Sequence, residues 1–256
     1  MHISIVVPFY NEAGSVGRVH GELLPVAAQL ARSGPIELVF VDDGSTDGSL
    51  AAFRDAIRPG PGVQIRFEQH PQNRGLGAAL RTGFAAARGE VVVTTDCDGT
   101  YPFSEIPGLL ACLGPDVDLV TASPYHPRGG VDGVPGYRLL LSRGSSLIYR
   151  LLVDRRLHTY TSLFRAYRRA LIDRVSFQSS GFLAGTEILV KALLLGFRAA
   201  EHPAVLHSRA AGVSKAKLAR TTLAHLRFQS RVLLHRLGLR PLVAPRLAEH
   251  QGPQAT

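Results

Sequence analysis

The sequence predicts an α/β protein with a mostly parallel, Rossmann-like sheet flanked by helices. Through the first hundred residues, short β-branched runs alternate with helical patterns in a strand–helix–strand order. The chain of 256 residues is 45% apolar, which suffices for a sizeable core and excludes disorder caused by low hydrophobicity. Polar motifs follow several strand runs, at the edge where such sheets bind ligands.

The elements of the first half are bounded by clear start and stop signals. We predict strands over residues 3–7, 36–41, 63–67 and 90–95, and helices over about 13–31, 49–57 and 77–87. Ser33-Gly34-Pro35 ends the first helix, and Gly89 ends the third. The turn over residues 42–48 is rich in Asp, Gly and Ser, and Asp47 can cap the helix that follows.

The second half is less regular and is dominated by arginine from Arg138 onward. Residues 124–136 are predicted as a loop, and helices are predicted over 137–153, 182–195 and 215–237. The last helix mixes leucines with arginines, which is typical of basic amphipathic helices at membrane interfaces, although an ordinary surface helix packed on the core is the alternative. We therefore divide the chain into a folded domain (1–214), a basic amphipathic helix (215–240) and a flexible tail (241–256).

Charge and cysteine content narrow the class of protein further. Lys and Arg number 29 against 20 acids, a net charge of +9 that suits an anionic partner such as nucleic acid, a lipid surface or a phosphorylated substrate. No nucleic-acid motif is recognised, so no nucleic-acid partner is expected. Cys97 and Cys112 are too few for a disulfide framework and favour a reducing, cytosolic setting. Neither a signal peptide nor an apolar run of membrane-spanning length, about 18 residues, is expected.

Carboxylates follow three of the predicted strands, as Glu12, Asp42-Asp43 and Asp96-Cys97-Asp98. Because the carboxyl ends of parallel strands meet at one edge, we expect these groups to converge. Unpaired, they would repel each other and raise their pKa values, and a metal ion or basic ligand groups would remove that penalty. Asp96 and Asp98 are therefore predicted to bind Mg²⁺ or Mn²⁺, while helix capping is the alternative role for the isolated acids.

Two further segments carry weaker signals. Gly75-Leu76-Gly77 is similar to a phosphate-binding loop, but its spacing is incomplete and close helix packing is the favoured explanation. Residues 209–217 place Arg209 and Lys215 around a small, flexible stretch. This stretch is predicted either to close over phosphate oxygens or to be a solvated loop.

Residues 5–12 (IVVPFYNE), 41–48 (VDDGSTDG) and 96–98 (DCD) together resemble the inverting family 2 glycosyltransferases. Within that group the chain is similar to the dolichol- or polyprenyl-phosphate mannose synthases, and the match extends over roughly residues 1–217. The resemblance implies the GT-A fold and a metal-dependent hexosyltransferase. Such an enzyme would move a mannose- or glucose-type hexose from a GDP- or UDP-linked sugar to a polyprenyl or dolichyl phosphate. It would lie peripherally on the cytoplasmic face of an anionic membrane.

The resemblance also implies roles for single residues. The nucleotide sugar would be held by Pro8, Tyr10, Glu12, Val41, Asp43, Asp96, Cys97, Asp98, Arg209 and Lys215. Asp96 and Asp98 would bind the metal, with Cys97 contributing its backbone. The acceptor phosphate would be received by Arg138, Ser142 and Arg209. Asp98, Arg138 and Glu187 are the predicted catalytic residues.

Four positions depart from the family pattern. Pro124 stands where the family usually has Arg, and Thr100, Thr159 and Leu163 replace other characteristic residues. Because Pro124 removes an expected phosphate contact, a soluble family 2 enzyme acting on the hydroxyl of a sugar or secondary metabolite is the alternative. A hydroxyl acceptor would need a general base, for which Glu187 is the candidate. Glu187 is equally suited to position the sugar or to pair with Lys191.

Overall fold

A central sheet of seven strands organises the protein, in a computed structural model that describes residues 1–208 and 218–243. Its strands, in chain order, are β1 (Ile3–Phe9), β2 (Ile36–Asp42), β3 (Val63–Gln69), β4 (Val91–Thr94), β5 (Leu119–Ser123), β7 (Arg165–Arg168) and β8 (Ala199–Pro203). They are arranged in the order β3-β2-β1-β4-β7-β5-β8. Two short strands, β6 (Gly130–Asp132) and β9 (Val205–His207), pair separately.

The first four strands form the parallel sheet that the sequence predicts. β1 pairs in parallel with β2 from Ile3↔Ile36 to Phe9↔Asp42, and with β4 on its other side. Every residue of β1 and β2 is buried, since helices cover both faces of the sheet. The mostly parallel α/β class is therefore confirmed.

Helices connect the strands and cover the two faces of the sheet. They are α1 (Val16–Arg18), α2 (Leu24–Leu30), α3 (Ser49–Ala56), α4 (Leu76–Ala86), α5 (Ile106–Ala111), α6 (Gly136–Leu152), α7 (Arg169–Arg174), α8 (Leu183–Leu194) and α9 (Leu218–Arg236). The predicted first helix is divided, with a π-turn over Val19–Leu23 between α1 and α2. Pro25 lies just after this turn and lacks the N–H that a continuous ladder needs.

Alternate residues of the strands point to opposite faces of the sheet and pack into two hydrophobic cores, one on each face. Ile5, Val7 and Phe40 belong to the first core, which also takes up Val19 and Leu23 of the first helical region. Val6 and Val39 point to the opposite face and join a second core with residues of α4, α8 and α9. α9 thus buries Phe228 and Val232 while packing against α6 and α8.

Several elements after β4 were not predicted. β5, β7, β8, β9, α5 and α7 were not assigned, and β6 lies within the predicted loop over residues 124–136. β7 runs antiparallel between β4 and β5. The three predicted helices are present as α6, α8 and α9. Within the described ranges, no helix has both the length and the apolarity needed to cross a bilayer.

Candidate functional site

A cavity of about 370 Å³, here the acidic cavity, lies at the carboxyl ends of β1, β2 and β4. Four of the predicted carboxylates line it, namely Glu12, Asp43, Asp96 and Asp98. Pro8, Tyr10 and Cys97 line it as well. The predicted convergence of acids at this edge therefore occurs, with the exception of Asp42.

Asp43 is fixed by donors from three sides. His70 Nδ1 lies 2.7 Å from Asp43 Oδ1, and the other ring nitrogen lies 2.8 Å from the Thr82 hydroxyl. The backbone N–H groups of Arg74 and Gly75 donate to the two carboxylate oxygens at 2.9 and 2.7 Å. Asp43 thereby ties the end of β2 to the turn that precedes α4.

The side chains of Asp42 and Val41 take no part in the lining of the acidic cavity. Asp42 is buried, accepts the Ser45 N–H at 2.9 Å on Oδ1, and does not line the acidic cavity. Its Oδ2 atom is buried and has no hydrogen-bond partner among the described residues. Val41, predicted to hold the nucleotide sugar, is 0% exposed and packs in the second core near Gly83, so its side chain does not reach the cavity.

Asp47 bonds the start of α3, as the sequence predicts, although the N-cap residue itself is Gly48. Asp47 Oδ1 accepts the N–H and the hydroxyl of Ser49, the first residue of α3. Partial burial pushes the pKa of Asp47 up, but these hydrogen bonds hold the pKa below its ordinary value. Asp47 is therefore a structural acid and does not line the acidic cavity.

The turn after β4 carries the two carboxylates of the predicted metal site. Asp98 Oδ1 accepts the Thr100 N–H at 3.0 Å, which orients this side chain. Burial of Cys97, followed by the negative charges of Glu12, Asp98 and Asp96, raises the pKa of its thiol well above the usual range. The acids thus create a negative potential at the end of β4.

The donor set at this turn fits a hard divalent cation. Within residues 1–208 and 218–243, no three His, Cys, Asp or Glu side chains form a metal site by themselves. Mg²⁺ and Mn²⁺ sites often use one or two carboxylates and take the remaining oxygens from water and a substrate phosphate. Asp96 and Asp98, both facing the acidic cavity, match that incomplete site.

A smaller cavity of about 260 Å³, the junction cavity, brings these carboxylates beside two groups from α6. It is lined by Asp96, Asp98, Arg138 and Ser142, together with Thr100 and Phe182. Ser142 Oγ lies 2.6 Å from Thr161 Oγ1, so the two hydroxyls are held together. The structure thus brings a cation and hydroxyl groups next to the predicted metal ligands.

A third cavity of about 400 Å³, the helix cavity, opens between α6 and α9 and also reaches Asp96. α6 contributes Leu141 and Ser145, and α9 contributes Leu218 and His225. Pro124 lines this cavity, whereas Arg128, the next arginine along the chain, does not line the acidic, junction or helix cavity. Most of the wall of the helix cavity is apolar, and its polar lining residues include Arg138, Asp96 and several hydroxyl groups.

Glu187 is buried in α8 and does not line any of the three cavities. Its Oε1 lies 2.7 Å from Lys191 Nζ, which is the pairing that the sequence allowed. Its oxygens also accept the N–H groups of Gln178 and Ser179 at 3.2 and 2.9 Å. Burial alone would raise the pKa of Glu187, but the bonds from Lys191 and Ser179 hold it below its ordinary value.

The Gly75-Leu76-Gly77 segment is closely packed, as favoured from the sequence. Gly75 N–H donates to Asp43, and Gly77 N–H donates to the Ser180 carbonyl oxygen at 2.8 Å. A Cβ atom on Gly77 would lie inside van der Waals contact with the Ser179 carbonyl oxygen and 2.9 Å from Ala184 Cβ. Both glycine N–H groups therefore bond within the protein.

Phe182 is the main residue that the sequence did not indicate. It lines the acidic, junction and helix cavities and is 47% exposed. An aromatic residue at the start of an apolar helix carries no chemical signal of this position. Arg209 and Lys215 were predicted to close over the site, and both lie outside the described residues.

Comparison with known proteins places the sequence in one family. The sequence model described as "Glycosyl transferase family 2" matches residues 4–176, more than half of the chain. The polyprenol monophosphomannose synthase of Mycolicibacterium smegmatis is 30% identical over 217 residues, which cover 82% of this chain and 79% of that protein. The dolichol-phosphate mannosyltransferase of Pyrococcus furiosus is 29% identical over 235 residues, which cover 91% of this chain and 64% of that protein.

The fold has close counterparts among solved structures. The glucosyl-3-phosphoglycerate synthase of Mycobacterium tuberculosis, crystallised with Mn²⁺, UDP and glucosyl-3-phosphoglycerate, superposes with a TM-score of 0.65 at 22% identity. The superposition covers 93% of this chain and 81% of that one and confirms the predicted GT-A fold. With the family model and the curated relatives, it follows that the chain belongs to glycosyl transferase family 2 and is a glycosyltransferase.

Proposed function

We propose that this glycosyltransferase moves a mannose- or glucose-type hexose from a GDP- or UDP-linked sugar to a polyprenyl phosphate. The nucleotide would occupy the acidic cavity, and the acceptor would enter through the helix cavity. Relatives named as polyprenol and dolichol-phosphate mannose enzymes support this acceptor class.

The junction cavity is the observation that carries the proposal. Asp96 and Asp98 from the β4 turn share this small space with Arg138 and Ser142 from α6. A guanidinium beside hydroxyl groups suits a phosphate oxygen, and carboxylates suit a cation on a diphosphate. The two phosphorylated substrates would thus meet on either side of the hexose.

The proposed reaction is a direct displacement. An oxygen of the acceptor phosphate forms a bond to the anomeric carbon while the bond from that carbon to the nucleoside diphosphate breaks, which inverts the configuration. Arg138 and Ser142 would orient the attacking phosphate, and the walls of the helix cavity would keep the apolar chain away from water. A phosphate acceptor is already anionic at neutral pH, so no strong general base is required.

Asp96 and Asp98 would hold a Mg²⁺ or Mn²⁺ ion at the carboxyl end of β4. When bound, the ion supplies positive charge that stabilises the departing diphosphate. A GT-A neighbour crystallised with either Mn²⁺ or Mg²⁺ supports this assignment.

Transfer to a hydroxyl is the second candidate, and Pro124 favours it. Proline lines the helix cavity at the position where the family usually supplies a cation for phosphate. That reaction needs a general base, for which Glu187 was the candidate from the sequence. The ion pair of Glu187 with Lys191 and its absence from the lining of the three cavities argue against this use.

The test is the release of nucleoside diphosphate from a panel of GDP- and UDP-sugars. Each donor is incubated with Mn²⁺ or Mg²⁺, with and without a short-chain polyprenyl phosphate. We expect release from one donor only, and only when the lipid phosphate is present. The proposal would be contradicted if metal-dependent release did not depend on the lipid phosphate but rose with a water-soluble hydroxyl acceptor. That result would support the second candidate.

We also propose that the enzyme lies peripherally on the cytoplasmic face of an anionic membrane. α6 and α9 pack side by side and expose leucines, among them Leu140, Leu147 and Leu151 of α6 and Leu226 and Leu233 of α9. Arginines alternate with these leucines, including Arg143, Arg150, Arg227 and Arg231. Such a surface suits an interface with anionic lipid, from which the acceptor would be taken.

A further inference from the structure

We propose that Glu187 and Lys191 form a positioning pair that fixes residues 176–182 and thereby sets the place of Phe182 between the three cavities. This inference rests on the proposed function, because it assigns a role within the same site. It replaces the general-base role considered for Glu187 with an indirect one.

The pair is buried and mutually neutralising. Glu187 is 2% exposed, and Lys191 is buried beside it one helical turn further along α8. Their charged atoms are 2.7 Å apart, at a spacing of four residues that places both on one face of the helix. Removing either partner alone would leave a buried charge without compensation.

The pair binds the backbone of the segment that precedes α8. The N–H groups of Gln178 and Ser179 donate to the carboxylate, and Lys191 Nζ donates to the Ser176 carbonyl oxygen at 2.9 Å. Three peptide groups are thus held by two side chains. This segment lies outside regular secondary structure, so no backbone hydrogen bonds of a helix or strand fix its conformation. The hydrogen bonds with Glu187 and Lys191 fix it instead.

The opposite side of the segment is held by α4. The Ser180 carbonyl oxygen accepts the Gly77 N–H, and the Ser179 carbonyl oxygen accepts from the Arg81 guanidinium at 3.1 Å. Gly75 and Gly77 approach this backbone so closely that a side chain on either would collide with it. The segment is therefore clamped between the charge pair on α8 and the first turn of α4.

Phe182 follows directly from this clamped segment. It lines the acidic cavity together with Gly75 and Leu76, and it lines the junction cavity beside Asp96 and Arg138. A shift of residues 176–181 would displace Phe182. It would also displace the neighbouring part of the cavity wall, which Gly75 and Leu76 form. Displacements of about 1 Å can lower rates by about 100-fold, so the pair would govern catalysis without touching a substrate.

The test compares Glu187→Gln, Lys191→Met and the double variant. Calorimetry with Mn²⁺ and GDP or UDP gives the nucleotide Kd, and steady-state kinetics gives kcat and the donor KM. We expect each single variant to raise Kd and KM and to lower kcat/KM by roughly tenfold to 100-fold. The double variant is expected to recover much of this loss, because it leaves no unpaired buried charge.

Two further variants separate positioning from loss of folding. Phe182→Ala removes the half-exposed ring alone and is expected to weaken nucleotide binding with little change in the free energy of unfolding. Asp116→Asn, which breaks the exposed ion pair with Arg198, is the matched control and should leave Kd and kcat unchanged.

A general-base role would give a different pattern. Glu187→Gln would then lower kcat at an unchanged nucleotide Kd, abolish the acidic limb of the pH profile, and show no recovery in the double variant. That pattern, or single variants that behave like Asp116→Asn, would overturn the inference. If the unmodified protein binds no nucleoside diphosphate with Mn²⁺, the proposed function fails instead.

Discussion

At the residue scale, the buried thiol of Cys97 illustrates how negative the end of β4 is. Cys97 is 3% exposed, and the charges of three neighbouring acids add to the effect of burial on its pKa. A site built in this way disfavours a polyphosphate that arrives without a cation. The same charges would favour the proposed metal–diphosphate complex, so Asp96 and Asp98 are the residues to test first.

Asp98→Asn keeps the size of the side chain and removes its charge. If Asp98 holds the metal on the donor, we expect turnover to fall by about 100-fold or more, measured as Mn²⁺-dependent release of nucleoside diphosphate. Asp55→Asn, at an exposed position of α3, is the control and should keep normal turnover. Near-normal turnover of Asp98→Asn would rule out the metal role.

At the element scale, the sequence predicted the four strands of the first half, including β3 with Arg66, and missed the strands that follow β4. β1, β2 and β4 were recognised because their residues are buried on both faces. β7 contains Arg165, which is 0% exposed and donates to Thr121 Oγ1 and to the carbonyl oxygens of Tyr160 and Gly185. Thr121 and Gly185 are 44 and 20 residues away from Arg165 in the sequence, so residue patterns alone cannot show that a buried arginine is satisfied.

In the candidate site, too, the features that follow from local sequence were predicted and those that depend on packing were not. Carboxylates such as Glu12 and Asp98 were predicted because their positions follow from local strand ends. The cavities that contain Arg138 and Phe182 depend on how α6 and α8 pack against the sheet. That packing joins residues distant in the sequence, which no local motif specifies.

The close approach of α4 to residues 179–180 gives a stability prediction. Gly77→Ala would press a methyl group against the Ser179 carbonyl oxygen, and we expect it to lower the free energy of unfolding by about 1–3 kcal/mol. Gly144→Ala is the matched control in α6, where an added Cβ meets nothing within 4 Å. We expect that variant to be stabilised by about 0.5–1 kcal/mol in denaturant titrations. Equal effects of the two substitutions would contradict the packing argument.

The contact of α9 with α6 gives a pH prediction. Burial lowers the pKa of His225 to about 4, and its Nδ1 lies 3.2 Å from both the Ser145 and Tyr149 hydroxyl oxygens. The unfolded chain would protonate this ring near 6.5, so it binds more protons than the folded state between those values. This contribution to stability is complete above about pH 6.5 and is lost as the pH falls toward 4.

The measurement is the free energy of unfolding from pH 7 to pH 4 for the unmodified protein and for His225→Gln. We expect the variant to lose a slope of at most about 1.4 kcal/mol per pH unit. His20→Asn, at an exposed position of the first helical region, should retain that slope. If the slope survives in His225→Gln, other groups are responsible for it.

At the scale of the whole molecule, the exposed leucines and the net charge of +9 both fit the proposed contact with an anionic membrane. The leucines lie on two adjacent helices, and arginines on the same helices would supply cations for lipid phosphates at the proposed interface. The helix cavity opens between these helices. An acceptor taken from a bilayer would therefore travel a short path from the proposed interface to Arg138.

Vesicle flotation tests this surface. Leu147→Ser together with Leu151→Ser removes two exposed apolar side chains, and we expect binding to anionic vesicles to weaken by about 1.5 kcal/mol or more per leucine. Val205→Ser, an exposed apolar position of β9, is the control and should bind normally. Unchanged flotation of the double variant would exclude α6 as the contact surface.

The antiparallel strand β7 has a consequence for the order in which the protein can fold. β1 to β4 pair within the first 94 residues, so the parallel part of the sheet can assemble from one continuous stretch of chain. β7 joins Thr94 to Arg165, and β5 and β8 then add beyond it. During synthesis the sheet therefore cannot extend past β4 until residues 165–168 have emerged. The edge that carries the carboxylates can therefore form well before α6 and α8 complete the walls around it. Pairing of β7 with β4 closes a loop over residues 95–164, and we expect this closure to limit the rate of folding.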